Sequence, residues 1–80
     1  MILLGKRGWG PRQARHLVSD TSTEELLAAA AEVGLQSAYL QVSDGGLIHF
    51  DVFGRPLRLL LEAGVLEVPE REIAERGLRV

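Results

Sequence analysis

The chain has 80 residues, no cysteine and a net charge of −2 at pH 7. A chain of this length forms a single domain, residues 1–80, that buries only ~60% of the surface its unfolded form exposes, so we expect added stability from self-association, most simply as a homodimer. The absence of cysteine excludes disulfides and thiolate metal sites and is typical of a cytoplasmic protein. No apolar run reaches the ~20 residues of a membrane-spanning helix, so we expect a soluble protein with no membrane partner.

Basic residues are concentrated at the start of the chain. Residues 1–20 hold four of them and one aspartate, a net charge of +3, so the remaining residues carry −5. This asymmetry favours a local anion site over nucleic-acid binding across the whole surface. Arginine outnumbers lysine eight to one, a thermophile-like composition that indicates a heat-adapted or GC-rich bacterial source.

The first predicted elements are a strand and a loop. Residues 1–4 are a continuous apolar run, typical of a strand that is covered on both faces. Three glycines and Pro11 then disfavour regular structure as far as Arg12. Residues 16–18 form a brief extended segment that leads to the first helix.

The first helix has clear signals at both ends. Ser22 and Glu25 have the spacing of a capping box, in which each side chain bonds the other's backbone amide. Four consecutive alanines, residues 28–31, favour the helix, and Gly34 is placed to end it in a left-handed turn.

A β-hairpin is predicted next, from residues 38–43 and 47–53 on either side of a glycine-containing turn. Because side chains alternate along a strand, His49 and Asp51 lie on one face, ~6.6 Å apart along the strand. This pair is the first candidate for chemistry.

The last part of the chain predicts two helices around a strand. Pro56 fits the first turn of a helix that ends at Gly64, residues 65–68 form a strand, and Glu70–Arg76 form a short helix closed by Gly77. The element order is therefore βαββαβα. The predicted fold class is α+β, with a small mixed β-sheet packed with helices.

Several motifs of the chain resemble those of one family. They are His16-Leu17 followed by Asp20, Glu25-Leu26-Leu27-Ala28, Gly34-Leu35, Tyr39-Leu40-Gln41, His49-Phe50-Asp51-Val52, Gly64 to Val68 and Arg71-Glu72-Ile73. In these residues, over nearly its whole length, the chain resembles the small bacterial domain-of-unknown-function family numbered four-zero-three-one. That family has no agreed activity, so the resemblance implies a fold and a set of positions without a reaction.

Three polar positions of that family's pattern are changed in this chain. Ala14 stands where the family usually has tryptophan, Gly5 where an acidic residue commonly follows the first strand, and Leu27 where a helix histidine is common. Any role that those side chains have elsewhere is absent from this chain.

The candidate catalytic residues are His16, Asp20, His49 and Asp51. Two imidazoles and two carboxylates suit a divalent metal that activates water. Without a metal, His49 oriented by Asp51 can act as a general base. Alternatively, the histidine and aspartate pair only with each other, and Asp20 bonds backbone amides before the helix.

The candidate ligand-binding residues are Arg7, Trp9, Arg12 and Arg15. They lie in the glycine- and arginine-rich stretch from Gly5 to Arg15, which we call the basic loop. Arginine binds phosphate through two parallel hydrogen bonds, and tryptophan stacks on planar groups. The sequence lacks both the nucleotide-binding Gly-x-x-x-x-Gly-Lys-Ser/Thr and Gly-x-Gly-x-x-Gly patterns. A solvated loop whose arginines pair with acidic side chains is the alternative.

Together these patterns indicate a domain that binds or hydrolyses a small phosphate-bearing molecule, with the His/Asp cluster next to the basic loop. A divalent metal is the candidate cofactor, of unknown identity. The alternative is a non-catalytic homo-oligomeric module that contacts a protein or a nucleic acid through the loop. Apolar residues such as Tyr39, Leu47, Phe53 and Leu60 are by default assigned to the core, but they exceed what three short helices can cover, so some of them are candidates for the contact between subunits. The sequence leaves open whether the protein is an enzyme.

Overall fold

A computed structural model describes residues 1–80 and shows an α+β protein with a five-stranded mixed sheet. The strands are β1 (Ile2–Gly5), β2 (Arg15–Ser19), β3 (Gln41–Val42), β4 (Ile48–Val52) and β5 (Leu66–Val68). The helices are α1 (Thr23–Glu32), α2 (Gly54–Glu62) and α3 (Glu70–Arg76), and Ser37–Tyr39 form a short 3₁₀ helix. None of the helices has the length and apolar character needed to cross a membrane.

The sheet order is β3-β4-β2-β1-β5, with every neighbouring pair antiparallel except β1 and β5. The predicted fold class is confirmed, but the brief extended segment at residues 16–18 is a full strand. The basic loop reverses the chain so that β2 pairs with β1, and an isolated bridge between Trp9 and Ala14 continues this pairing into the loop. Therefore β2 lies between β1 and the hairpin strand β4.

Both faces of the sheet are covered, as the apolar run of the first strand predicted. Leu4 and Leu17 point to one face, where α1 and α2 pack through Leu26 and Leu60. Leu3 and Val18 point to the other face, where Ile73 of α3 completes a second cluster. This alternation puts the even-numbered residues of β2, including His16, on the α3 face.

The two ends of α1 are close to prediction. The Ser22 hydroxyl accepts the Glu25 amide at 3.0 Å, and Gly34, with φ of +86°, ends the helix. The Glu25 side chain does not accept from the Ser22 amide, as a complete capping box requires, because Ser19 takes its place. The Ser19 hydroxyl accepts the Ser22 amide at 3.1 Å and donates to the Glu25 carboxylate at 2.6 Å.

The hairpin is shorter than predicted. Residues 38–43 yield only the two-residue strand β3, because the chain enters it from the 3₁₀ helix Ser37–Tyr39. Leu47 and Leu60 are 7% and 6% exposed and belong to the chain's own core, which is their default assignment from the sequence. Tyr39, in contrast, is 62% exposed.

Candidate metal centre

Three of the predicted residues converge on the α3 face of the sheet. His16 on β2 is the register partner of Asp51 on β4, and His49 lies two residues before Asp51 on the same face. The Nε2 atoms of His16 and His49 are each 3.5 Å from Asp51 Oδ1. With one ligand atom from each residue, the three atoms lie within 4.8 Å of one another.

The centre has a dry inner side and an accessible outer side. The His49 side chain is 7% exposed, whereas the side chains of His16 and Asp51 are 26% and 36% exposed. The two imidazole rings meet edge to face, with centroids 5.0 Å apart. Packing thus fixes His49 and leaves a path from solvent to Asp51.

Hydrogen bonds fix which nitrogen of each histidine carries the hydrogen. His49 Nδ1 lies 3.0 Å from the Leu47 carbonyl oxygen, which can only accept, so Nδ1 is the donor. His16 Nδ1 makes a short hydrogen bond to the Glu70 carboxylate. In their neutral forms, both rings therefore direct the lone pair of Nε2 towards Asp51.

Three electron-rich atoms thus face one another with their hydrogens turned away. Such an arrangement is unfavourable unless a cation or a proton lies among them. A tetrahedral zinc site, with bonds of ~2.0–2.2 Å, has ligand atoms ~3.3–3.6 Å apart. The two distances of 3.5 Å to Asp51 Oδ1 match this spacing. The three atoms as a set lie within 4.8 Å of one another, a wider span, so a bound ion would draw the two imidazole nitrogens closer together. The donor set fits a divalent transition metal held by two imidazoles and one carboxylate.

Glu70, the first residue of α3, supports the centre, and it was not among the candidate residues that the sequence indicated. Its Oε1 bonds His16, while its Oε2 is buried and has no hydrogen-bond partner. The carboxylate occupies space above Gly5, where an added Cβ would lie 2.7 Å from Oε2. Parallel pairing of β1 with β5 brings this segment beside β2, across 54 residues of sequence, and no local pattern signals such a contact.

Asp20 lies outside the cluster. It follows the far end of β2, four residues or ~13 Å of strand from His16. Its carboxylate accepts from the Met1 ammonium at 2.9 Å and from Arg76 at 3.0 Å. The hydrogen bonds from the Met1 ammonium, then from Arg76 and Thr21, lower the pKa of Asp20 to about 2. The four-residue grouping of the sequence analysis is thus reduced to three residues, since Asp20 is held in a separate ion-pair network.

The four candidate ligand-binding residues occupy different environments. The Arg7 guanidinium stacks 3.9 Å above the Trp9 ring, whose centroid is 6.2 Å from that of His16. The Arg12 guanidinium lies 5.0 Å from the Phe53 centroid. Arg15 instead bonds Glu67 at 2.8 Å, so its charge is already paired. Arg7 and Arg12 make no ion pair.

A groove of about 640 Å³ lies next to the cluster and shares Asp51 with it. Its lining residues are Trp9, Pro11, Arg12, Ala14, Leu35, Tyr39, Gln41, Asp51 and Phe53. The loop thus contributes Trp9 and Arg12 to the groove, and the segment before β3 contributes Tyr39. Neither Tyr39 nor Phe53 lies in a polar motif, so the sequence indicated only the core or a subunit contact for them.

The fold and the site together define a small α+β protein with a candidate metal centre on one sheet face and an adjacent groove. The family model described as protein of unknown function DUF4031 matches residues 6–79. The chain belongs to this family, the one that its motifs indicated. No curated protein and no solved structure matches the chain.

Proposed function

We propose that the protein binds one divalent transition metal ion through His16, His49 and Asp51 and uses it to hydrolyse a small phosphate-bearing molecule. The observation that carries this proposal is the convergence of two imidazole nitrogens and one carboxylate oxygen. Hydrogen bonds from the Nδ1 atoms to the Leu47 carbonyl oxygen and the Glu70 carboxylate orient the two imidazole rings. Three protein ligands leave one coordination position free, which is the arrangement of catalytic zinc sites.

The bound ion would make a water molecule more acidic and so supply hydroxide at neutral pH. In hydrolysis of a phosphate ester, the water oxygen bonds to phosphorus and the bond from phosphorus to the ester oxygen breaks. The ester oxygen leaves with the proton. Water is the sole co-reactant of this reaction.

The groove provides the place for the phosphate-bearing molecule. Asp51 belongs to both the cluster and the groove wall, so an occupant of the groove lies beside the centre. Arg12 lines the groove without an ion pair and can bind phosphate oxygens through two hydrogen bonds. Arg7, whose guanidinium stacks on Trp9, adds positive charge to the same loop. Arg15 contributes less, because it is bonded to Glu67.

Metal binding is tested by titrating the chelator-treated protein with Zn²⁺ in a calorimeter and with Co²⁺ in a spectrophotometer. We expect the protein to bind one equivalent of either ion. The cobalt complex should absorb visible light with the intensity typical of tetrahedral Co²⁺. Asp51→Asn keeps the shape of the side chain but removes its charge, so it should weaken binding strongly. Asp20→Asn is the matched control and should bind as the wild type does, since Asp20 lies outside the cluster.

The competing explanation is a single proton on one imidazole Nε2, which would form a hydrogen bond to Asp51 and remove the repulsion among the three atoms without a metal. It predicts no binding heat and no cobalt absorption, and that result would remove the proposal. Hydrolysis is tested separately with p-nitrophenyl phosphate and bis-p-nitrophenyl phosphate. Turnover should require added metal and be lost in Asp51→Asn. Metal binding without turnover of either ester would contradict the hydrolytic part and favour the non-catalytic module.

A further inference from the structure

The aromatic side chains are distributed unevenly. The chain has four residues of this kind, and three of them, Trp9, Tyr39 and Phe53, line the groove. They are 40%, 62% and 38% exposed, whereas Phe50 is fully buried in the core. Single exposed apolar residues are common on protein surfaces, but a concentration of them around one concavity indicates a binding site.

Each of the three rings has a distinct environment. Trp9 is covered by the Arg7 guanidinium, and Phe53 by the Arg12 guanidinium. Tyr39 has neither an aromatic nor a cationic partner, so its ring is the free stacking surface of the groove. The groove volume of about 640 Å³ lies in the range of small-molecule sites.

The polar groups of the groove are few. Besides the Tyr39 hydroxyl and the Trp9 indole nitrogen, the only lining side chains with polar atoms are those of Arg12, Gln41 and Asp51. A sugar ring needs a hydrogen-bond partner for each hydroxyl that it buries, because an unpaired buried polar group is costly. A planar aromatic ring needs stacking surfaces instead, and those are what the groove offers.

We infer that the groove binds a nucleotide, with the base stacked on Tyr39 between the walls formed by Trp9 and Phe53. The phosphate then lies between Arg12 and the cluster at Asp51. This inference rests on the proposed function, of which it specifies the substrate class. It assigns base recognition to stacking, which tolerates any base, and phosphate recognition to Arg12.

The test uses chelator-treated protein, so that nucleotide binding is measured apart from metal binding. Calorimetric titrations compare adenosine monophosphate and its guanine, cytosine and uracil counterparts with ribose 5-phosphate and with adenosine. We expect at least one nucleotide to bind about tenfold or more tightly than ribose 5-phosphate, as one stacked base provides. Adenosine should bind more weakly than adenosine monophosphate, because it lacks the phosphate.

Three variants assign the contacts. Tyr39→Ala should abolish the preference for the nucleotide over ribose 5-phosphate, and Arg12→Gln should abolish the preference for adenosine monophosphate over adenosine. Val42→Ala is the control, because Val42 is 55% exposed and does not line the groove. It should change neither preference. Tyr39 is largely exposed, so its replacement should leave the melting temperature unchanged, and this is measured alongside.

Two results would overturn the inference: equal affinity for the nucleotides and for ribose 5-phosphate, or unchanged nucleotide binding in Tyr39→Ala. A zinc titration on the same preparation separates the two proposals. Zinc binding without nucleotide binding overturns the nucleotide and leaves the metal centre. Nucleotide binding without zinc binding supports stacking in the groove and removes the metal centre.

Discussion

Replacing Glu70 with glutamine should weaken metal binding without unfolding the protein. Glutamine has nearly the same shape and keeps an oxygen that can accept from His16 Nδ1. The other carboxylate oxygen has no hydrogen-bond partner, so an amide nitrogen in its place loses none. The substitution therefore removes the negative charge behind His16 and leaves the packing intact.

The size of the effect follows from the one hydrogen bond that changes. A hydrogen bond to a charged group contributes ~1.5–3 kcal/mol and a neutral one ~0.5–1.5 kcal/mol, so the loss is ~1–1.5 kcal/mol. This corresponds to an affinity about tenfold lower. Mutation of residues that orient metal ligands typically lowers the metal affinity ~10–100-fold. The loss expected for Glu70→Gln lies at the lower end of that range.

The assay is a competition titration with a chromophoric zinc chelator. Glu75→Gln is the matched control, since Glu75 lies on the same helix, is exposed and makes no ion pair. It removes the same charge from a position where salt screens it. Equal affinity losses in the two variants would refute the orienting role of Glu70, because only net charge would then matter. Unchanged affinity in Glu70→Gln would refute it too.

The remaining predictions concern two glycines in tightly packed positions and the ion pairs of Asp20. Gly5→Ala should lower the metal affinity as much as Glu70→Gln does, because its Cβ would lie 2.7 Å from Glu70 Oε2 and displace that carboxylate. The double variant should lose no more metal affinity than either single variant. Gly77→Ala should lower the free energy of unfolding, measured by urea denaturation, by ~1–3 kcal/mol. Its Cβ would lie 2.5 Å from Leu47 Cδ1 and 2.9 Å from the Ile73 carbonyl oxygen. Gly45→Ala is the control and should have little effect. Asp20 has a pKa lowered from 3.8 to about 2 in the folded state, so its stabilising contribution is present above pH 3.8 and is lost as the pH falls through about 2. The fall in melting temperature over this range, measured in chelator, should therefore be smaller in Asp20→Asn, and identical pH profiles for the two proteins would contradict this linkage.

Local sequence signals predicted most of the elements, because their causes lie within a few residues. The Ser22 cap and the left-handed Gly34 bound the first helix as expected, and Glu70–Arg76 matches the predicted third helix. The order of strands in the sheet was not predictable in this way. The position of β2 between β1 and β4 depends on how the basic loop turns, and β2 has only five residues.

The same distinction separates the predicted from the unpredicted parts of the site. Alternation along β4 placed His49 and Asp51 on one face, which the 3.5 Å separation of their ligand atoms confirms. Pairing of His16 with Asp51 required the register of β2 on β4, and the exclusion of Asp20 follows from its place at the far end of β2. Composition and spacing were equally consistent with all four residues, since nothing in them measures distance between strands.

Glu70 and Gly5 show what type of functional residue escapes sequence analysis. A glycine at the end of β1 resembles an ordinary strand terminator, and a glutamate at the start of α3 resembles an ordinary helix-end charge. Their joint effect appears only when parallel pairing of β1 and β5 sets the carboxylate over the glycine and against His16. Because the space at Gly5 admits the carboxylate, and the carboxylate orients the imidazole, the chemistry proposed for this centre depends on a residue that itself has no polar side chain.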